Sequence, residues 1–193
     1  MLTDRLSKGL ALAVDAHRRQ LRKGTKIPYV SHPMAVASIA LEYGADEDQA
    51  IAALLHDVIE DGGAKYIPII EAQFGARVLE IVQGCTDGVP DNNGRKTVAW
   101  KLRKEAYIAH LKEASDDVLL VSGSDKLHNA RAILHDLQTV GASVFDRFKS
   151  SKEETLWYYS SLSDVFVSRK APMADVLRVA IKTMHELSGT IGG

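Results

Sequence analysis

The chain has 193 residues, of which 24 are Lys or Arg, 25 are Asp or Glu, seven are His and one is Cys. This length suits a globular domain with a sizeable core, and the content of 46% hydrophobic and 25% charged residues excludes a wholly disordered chain. A formal net charge of −1 lacks the basic excess of a dedicated DNA-binding domain, and a single Cys excludes a disulfide framework and a multi-thiolate zinc site. We therefore expect no nucleic-acid partner, and any metal ligands to be His and carboxylates.

Apolar residues recur at helical spacing almost throughout the chain, and Gly, Pro, Asp and Asn separate the segments. This pattern predicts an all-α fold of about nine helices in a single domain. The predicted helices cover residues 3–22, 33–43, 46–61, 66–74, 76–86, 95–114, 116–137, 150–168 and 172–188. Residues 86–94 are predicted to form a loop. Val118–Val121 has strand propensity, but no partner strand is predicted, so we assign it to a helix.

The sequence shows no targeting or membrane signal. The longest stretch without Asp, Glu, Lys or Arg is Ile27–Leu41, which contains two prolines and is shorter than the roughly 20 residues that cross a bilayer. Charged residues near the N-terminus, such as Asp4 and Arg5, interrupt the apolar run that a signal peptide requires. We therefore expect a cytoplasmic protein with no membrane partner.

Charge is distributed unevenly along the chain. Residues 1–26 contain seven Lys or Arg against two Asp, whereas residues 27–64 contain seven Asp or Glu and no Lys or Arg. Such asymmetry often accompanies an interaction surface, although a solvated face produces the same pattern.

The segment Ile51–Asp61 combines an apolar face with a titratable one. On a helix at about 100° per residue, His56, Glu60, Asp57 and Asp61 share one side, and nearly all the apolar residues share the other. An ordinary amphipathic helix explains this pattern, but the segment itself contains no Lys or Arg that could pair with its acids at i, i+4 spacing. The last two acids would also lie in the final turn, where the helix dipole disfavours negative charge. These details indicate a bound cation.

A metal site would need further ligands from other segments. His32, immediately before Pro33, and Asp125 are candidates. Two imidazoles and two carboxylates would form a mixed nitrogen and oxygen site suited to Mn²⁺, Fe²⁺ or Zn²⁺. Taken alone, His32 is more often a structural residue near a loop, and Asp125 a surface acid.

These residues resemble the H…HD…D signature of the HD-domain metal-dependent phosphohydrolases. The similarity extends to the hydrolase domain of the RelA/SpoT family and to small stand-alone hydrolases of the metazoan SpoT homologue-1 type. It is carried by the runs AHRRQLRKGTKIPYVSHPMAVA, LLHDVIED, FGARVLEIVQGCTD and DKLHNAR. They occur in order within residues 10–137, so that residues 140–193 would be a C-terminal helical extension of one HD hydrolase domain.

The resemblance implies a role for each matching residue. The implied Mn²⁺ ligands are His32, His56, Asp57 and Asp125. The implied catalytic pair, which positions and deprotonates the attacking water, is Glu60 and Asp61. The implied nucleotide contacts are Arg22, Lys23 and Asn129. The implied reaction is hydrolysis of the 3′-pyrophosphate of (p)ppGpp to GDP or GTP, which degrades the alarmone of the stringent response. We accordingly interpret the cations of residues 1–26 as phosphate-side groups that face a metal-loaded acidic cluster.

Two departures from the family pattern leave the substrate open. The family usually reads V-K-L-A-D where this chain has Val121-Ser122-Gly123-Ser124-Asp125, and Ala132 stands where Thr is common. The alternative is therefore an NADPH 2′-phosphatase, or another nucleotide phosphohydrolase with the same metal site. A third alternative, from another class, is a non-catalytic nucleotide-binding helical module. The oligomeric state does not follow from the sequence.

Overall fold

The computed structural model describes residues 1–88 and 97–190, and it confirms the all-α prediction. Within those ranges it contains ten α-helices and one 3₁₀-helix, and the only strand pairing is an isolated bridge between Leu21 and Pro28. The helices are α1 (Asp4–Ala16), α2 (Ser31–Glu42), α3 (Glu47–Leu55), α4 (Val58–Gly62), α5 (Tyr66–Phe74), α6 (Ala76–Cys85), α7 (Trp100–Glu113), α8 (Asp116–Val140), the 3₁₀-helix (Gly141–Arg147), α9 (Lys152–Ser168) and α10 (Ala174–Thr190).

The first predicted helix is too long, because α1 ends at Ala16 and not at residue 22. The chain then turns back on itself in a short hairpin. The Arg22 amide donates to the Ile27 carbonyl at 2.9 Å, and the Tyr29 amide donates to the Gln20 carbonyl at 2.9 Å. These bonds replace the helical pattern, since each satisfies a backbone group that a continuing helix would have used.

The other predicted boundaries differ mainly where tertiary contacts decide them. The predicted helix 46–61 is two helices, α3 and α4, which gives one helix more than expected. Val118–Val121 is helical in α8, as predicted. Most of the predicted loop 86–94 and the predicted helix start at residue 95 lie outside the described residues.

Helix α8 is central, since it packs against α2, α3, α6, α9 and α10. The departure at Gly123 has a packing reason there. A Cβ atom at this position would lie 2.3 Å from Sδ of Met173, which is fully buried immediately before α10. The glycine, which costs about 1 kcal/mol in a helix relative to Ala, thus makes room for Met173 against α8.

A network of ion pairs joins the start of α3 to α1 and α6. The Arg5 guanidinium contacts Asp48 at 2.8 Å and Glu47 at 3.3 Å, and Arg77 contacts Asp46 at 2.7 Å. Three of the acids in residues 27–64 are therefore neutralised locally. The interpretation of all the early cations as phosphate-side groups is accordingly wrong for Arg5.

No helix within residues 1–88 and 97–190 combines the length and the apolar character that a bilayer span needs.

Candidate metal centre

The break between α3 and α4 shapes the site. Helix α3 ends at Leu55, and Asp57 has φ −97° and ψ −5°, so that α4 begins only at Val58. Glu60 and Asp61 consequently lie in the first turn of α4, not in the last turn of a long helix. The predicted position at the end of one long helix is therefore wrong, and the dipole argument built on it does not apply, because α4 has only five residues.

His56 presents one ring nitrogen to the site. Its Nδ1–H donates to the Ala53 carbonyl at 2.8 Å, which leaves Nε2 as the ring nitrogen that faces the site. This Nε2 is buried without a hydrogen bond, 3.1 Å from Asp57 Oδ2 and 3.7 Å from Asp125 Oδ1. A buried ring nitrogen beside carboxylate oxygens is the arrangement that a cation would complete.

His32, from the start of α2, reaches the same point. Its Nε2 lies 3.1 Å from Asp125 Oδ1 and 3.5 Å from Asp57 Oδ2, while its Nδ1 lies 2.7 Å from Nδ1 of His128. Burial lowers the pKa of His128 to about 4, so this ring is neutral at neutral pH and can accept a hydrogen bond. His32 is then free to carry its proton on Nδ1 and its lone pair on Nε2.

The four side chains fit a divalent cation. Ligand atoms of His32, His56 and Asp57 lie within 4.8 Å of one another, and the distances above place Asp125 with them. Two nitrogen and two oxygen donors form a mixed site of the kind that binds first-row divalent metals such as Mn²⁺, Fe²⁺ and Zn²⁺. The structure thus brings together the four residues that the sequence nominated as ligands, from three separate segments.

The charge state of the cluster favours a cation. Burial opposes ionisation of Asp57, but His56 and His32 outweigh it and hold the pKa of this carboxyl well below its usual range. For Asp125, burial is outweighed by the Lys126 ammonium and by His32, and the pKa is again well below its usual range. Burial lowers the pKa of His56, but the two carboxylates raise it further, to well above its usual range. The carboxylates of Asp57 and Asp125 therefore stay ionised, and their negative charges attract a cation.

Neighbouring side chains fix the carboxylate oxygens. The Tyr29 hydroxyl donates to Asp57 Oδ2 at 2.5 Å, the Asn129 amide donates to Asp125 Oδ1 at 2.6 Å, and Lys126 Nζ lies 2.5 Å from Asp125 Oδ2. The sequence pattern does not distinguish Tyr29 or Lys126 from their neighbours, although both lie inside the motifs that carry the family resemblance. Their roles depend on contacts that spacing alone does not reveal.

A pocket with a volume of about 160 Å³ opens beside the cluster. Its lining comprises Tyr29, Asp57, Glu60, Cys85, Asp87, Lys104, Tyr107, Asp125, Lys126 and Asn129. This volume is below the roughly 300–1,000 Å³ typical of pockets for drug-sized ligands, so it suits a phosphoryl-sized group with the rest of a ligand outside. Acidic residues line the metal side of the pocket, and two lysines add positive charge.

The two predicted catalytic acids occupy different surroundings. Glu60 lines the pocket, and its Oε2 lies 3.4 Å from the Asp87 amide. Asp61 is not among the lining residues, and its Oδ2 accepts a hydrogen bond from the Gln20 side chain at 2.8 Å. Only Glu60 therefore faces the space in which a substrate would sit.

The predicted nucleotide contacts are brought together only in part. The Arg22 guanidinium donates to Asn129 Oδ1 at 2.8 Å and lies 5.7 Å from the centre of the Tyr29 ring. Lys23 is the next residue of the hairpin and is exposed. Arg18 pairs with Asp15 at 2.6 Å on the surface.

The departures from the family pattern point away from the ligand atoms. The Ser122 hydroxyl lies 2.8 Å from the Tyr107 hydroxyl, which belongs to the pocket lining, and Ser124 donates to the Leu120 carbonyl. Cys85 also lines the pocket, but burial raises the pKa of its thiol. The thiol is thus a protonated wall of the pocket and not a nucleophile.

Known proteins share both the sequence pattern and the fold. The HD-domain family matches residues 9–153. The bifunctional (p)ppGpp synthase/hydrolase SpoT of Escherichia coli K12 is 35% identical over 161 residues, which are 82% of this chain and 21% of that protein. The guanosine-3′,5′-bis(diphosphate) 3′-pyrophosphohydrolase MESH1 of Xenopus tropicalis is 38% identical over 122 residues, which are 62% of this chain and 64% of that protein. The chain thus spans about a fifth of the bacterial relative.

Solved structures agree with these relatives. A structure of a metazoan SpoT orthologue that hydrolyses ppGpp superimposes with a TM-score of 0.72 at 26% identity, covering 100% of this chain and 98% of the other. The protein lmo0812 of Listeria monocytogenes gives a TM-score of 0.67 at 27% identity, covering 78% of this chain and 96% of the other. The family match extends over well more than half of the sequence and includes all four candidate ligands. This chain belongs to the HD-domain family.

Proposed function

We propose that this chain is a Mn²⁺-dependent phosphohydrolase that removes the 3′-pyrophosphate of (p)ppGpp, giving GDP or GTP and pyrophosphate. The observation that carries the proposal is the convergence of two imidazoles and two carboxylates beside a phosphoryl-sized pocket. The names of the relatives supply the substrate class, a small nucleotide. We also propose that residues 1–193 act as one HD hydrolase unit, because α10 packs on the helix that carries Asp125. The proposed location of this unit is the cytoplasm.

In this proposal His32, His56, Asp57 and Asp125 hold the metal. A bound divalent ion lowers the pKa of a coordinated water and polarises a phosphoryl oxygen. Manganese is the metal that the family resemblance implies, and the mixed imidazole and carboxylate donor set suits it, as it also suits Fe²⁺ and Zn²⁺.

The protein supplies the remaining acid and base chemistry. Glu60, which lines the pocket, accepts the proton of the attacking water, and Asp61 holds the geometry beside it. Lys104, which pairs with Asp87, and Lys126, which pairs with Asp125, line the same pocket and would offset part of the charge on the pyrophosphate group. Arg22 and Lys23 would contact the nucleotide phosphates outside it, and Asn129 the sugar.

The test is turnover of ppGpp by purified protein supplied with Mn²⁺. Pyrophosphate and GDP are expected in equal amounts, and chelation of the metal should abolish their release. Glu60→Gln should lower kcat about 10²–10⁴-fold while Mn²⁺ binding is retained. Glu71→Gln, on an exposed acid of α5, is the matched control and should leave turnover unchanged. Metal-replete wild-type protein that releases no pyrophosphate from ppGpp would refute the proposal.

A second candidate is an NADPH 2′-phosphatase with the same metal site. One observation favours it: where the family pattern has Lys, this chain has Ser122, which bonds to the pocket residue Tyr107 and brings no positive charge. A pocket with one cation fewer suits a single phosphate better than a pyrophosphate. Release of inorganic phosphate from NADPH, with no turnover of ppGpp, would select this candidate.

A further inference from the structure

We infer that Gln20, oriented by His17, is a positioning residue that fixes the carboxylate of Asp61 at the active site. The inference rests on the proposed function, because it assigns a role to the support of a proposed catalytic acid. Three side chains carry it, and they form one continuous chain of hydrogen bonds.

The chain of bonds runs from the end of α1 to the first turn of α4. His17 Nδ1 lies 2.7 Å from Oε1 of Gln20, and Nε2 of the same amide donates to Asp61 Oδ2 at 2.8 Å. His17 is only 3% exposed, although Asp61 itself lies at the surface. An exposed carboxylate is thereby anchored to a buried ring.

The backbone of Gln20 is held as firmly as its side chain. Its amide donates to the His17 carbonyl at 3.0 Å, and its carbonyl accepts from the Tyr29 amide at 2.9 Å. Because both backbone groups are bonded, the side chain starts from a fixed position at the base of the hairpin. Because α1 ends at Ala16, Gln20 lies outside the helix, and its side chain reaches Asp61.

The direction of each hydrogen bond follows from the chemistry of the groups. An ionised carboxylate only accepts, so the amide must turn its NH₂ towards Asp61. Its oxygen then faces His17 and needs a donor, which requires the proton of the imidazole on Nδ1. The ionised carboxylate of Asp61 thus sets the orientation of the Gln20 amide. Through that amide, it also sets which nitrogen of the His17 ring carries the proton.

His17 supports a second acid through its ring face. The ring packs on Tyr29 with a centroid distance of 4.8 Å, and the Tyr29 hydroxyl donates to Asp57. One buried imidazole therefore lies behind both Asp61 and the candidate ligand Asp57. This shared support explains why a His followed by Gln at i+3 precedes the hairpin.

The experiment compares variants that keep or remove the Nδ1 donor. In His17→Asn the side-chain NH₂ occupies the position of Nδ1, whereas in His17→Gln it is displaced towards Nε2. Both variants lose the ring, so their difference isolates the donor. Gln20→Ala removes the bond to Asp61, and Gln73→Ala, on an exposed glutamine of α5, is the matched control.

We expect Gln20→Ala to lower kcat about 10- to 100-fold, as for loss of a hydrogen bond to a charged group, with KM changed less than about threefold. His17→Asn should retain more activity than His17→Gln. Combined with Gln20→Ala, the two His17 variants should no longer differ from each other, because the Nδ1 donor then has no Gln20 oxygen to reach. Unchanged kcat in Gln20→Ala, or equal kcat in the two His17 variants at equal melting temperature, would overturn the inference.

A second measurement does not require turnover. The ¹⁵N shifts of the His17 ring, recorded at mildly alkaline pH with and without Mn²⁺, should show the proton on Nδ1 in the wild type and lose this preference in Gln20→Ala. A ring protonated on Nε2 in the wild type would contradict the inference. An enzyme that does not hydrolyse ppGpp but shows the Nδ1 tautomer would contradict the proposed function alone.

Discussion

Replacing Tyr29 by Phe removes one hydroxyl from the site and little else. The hydroxyl donates to Asp57 Oδ2 at 2.5 Å, and burial raises the pKa of Tyr29, so the group remains a protonated donor. The Phe ring retains the contacts with His17 at 4.8 Å and with His32 at 5.6 Å. The variant therefore isolates a single hydrogen bond to a candidate ligand.

The magnitude follows from the charge of the acceptor. A hydrogen bond to a charged group contributes about 1.5–3 kcal/mol, and loss of a residue that orients a metal ligand typically weakens metal binding about 10- to 100-fold. We expect Tyr29→Phe to raise the Kd for Mn²⁺ by a factor in this range. At a free Mn²⁺ concentration of about 100 times the wild-type Kd, the metal stabilises the wild type by about 2.7 kcal/mol, and the variant by clearly less.

Calorimetric titration with Mn²⁺ measures the Kd directly, and melting curves with and without the metal check it. Tyr66→Phe, at the start of α5, is the matched control and should leave both unchanged. Wild-type affinity for Mn²⁺ in Tyr29→Phe would refute the reasoning that this hydroxyl holds Asp57 for the metal.

Three further predictions concern packing, reactivity and pH. Gly123→Ala should lower the melting temperature, since overpacking against Met173 costs about 1–3 kcal/mol and the gain in helix propensity is about 1 kcal/mol. The same substitution should lower the melting temperature less in a Met173→Ala background. A higher melting temperature in Gly123→Ala alone would contradict the packing. Cys85 is 6% exposed, and burial raises the pKa of its thiol. It should therefore react with iodoacetamide at about pH 8 at least 100-fold more slowly in the native protein than after denaturation. Comparable rates would show that the thiol is accessible to solvent. The metal-free protein should lose stability as pH rises from about 6.5 through the raised pKa of His56, because the stabilising protonated ring is lost there. Added Mn²⁺ should reduce this loss. A free energy of unfolding that rises with pH over this range would contradict the prediction.

The fold class was predictable because periodicity is a local property. The apolar spacing of the segments that form α2, α5, α6 and α8 predicts helices there, and the structure contains them. The motifs also nominated the four residues that meet at the candidate metal centre, although their roles remain predictions. Local pattern and resemblance were sufficient to select these residues.

The remaining features depend on contacts between distant segments. Periodicity continues smoothly through His56 and Asp57, so it could not predict that α3 stops at Leu55. The partner of Arg5 is 43 positions away at Asp48, and no local signal distinguishes an ion pair of that kind from a phosphate contact. Lys104 was missed for the same reason, because only the packing of α7 brings it to the pocket.

The two-residue break between α3 and α4 contains two of the candidate metal ligands, His56 and Asp57. On a regular helix, consecutive side chains point about 100° apart, whereas Asp57 departs from regular helical angles, with φ −97° and ψ −5°. With the break, Nε2 of His56 and Oδ2 of Asp57 lie 3.1 Å apart, so one short stretch of chain offers two ligands. Sequence changes that strengthen the helix across this junction would raise local stability and separate the pair. For the proposed metal site, greater helical regularity at this dipeptide would raise stability at the expense of ligand geometry, and selection for a more stable variant should avoid it.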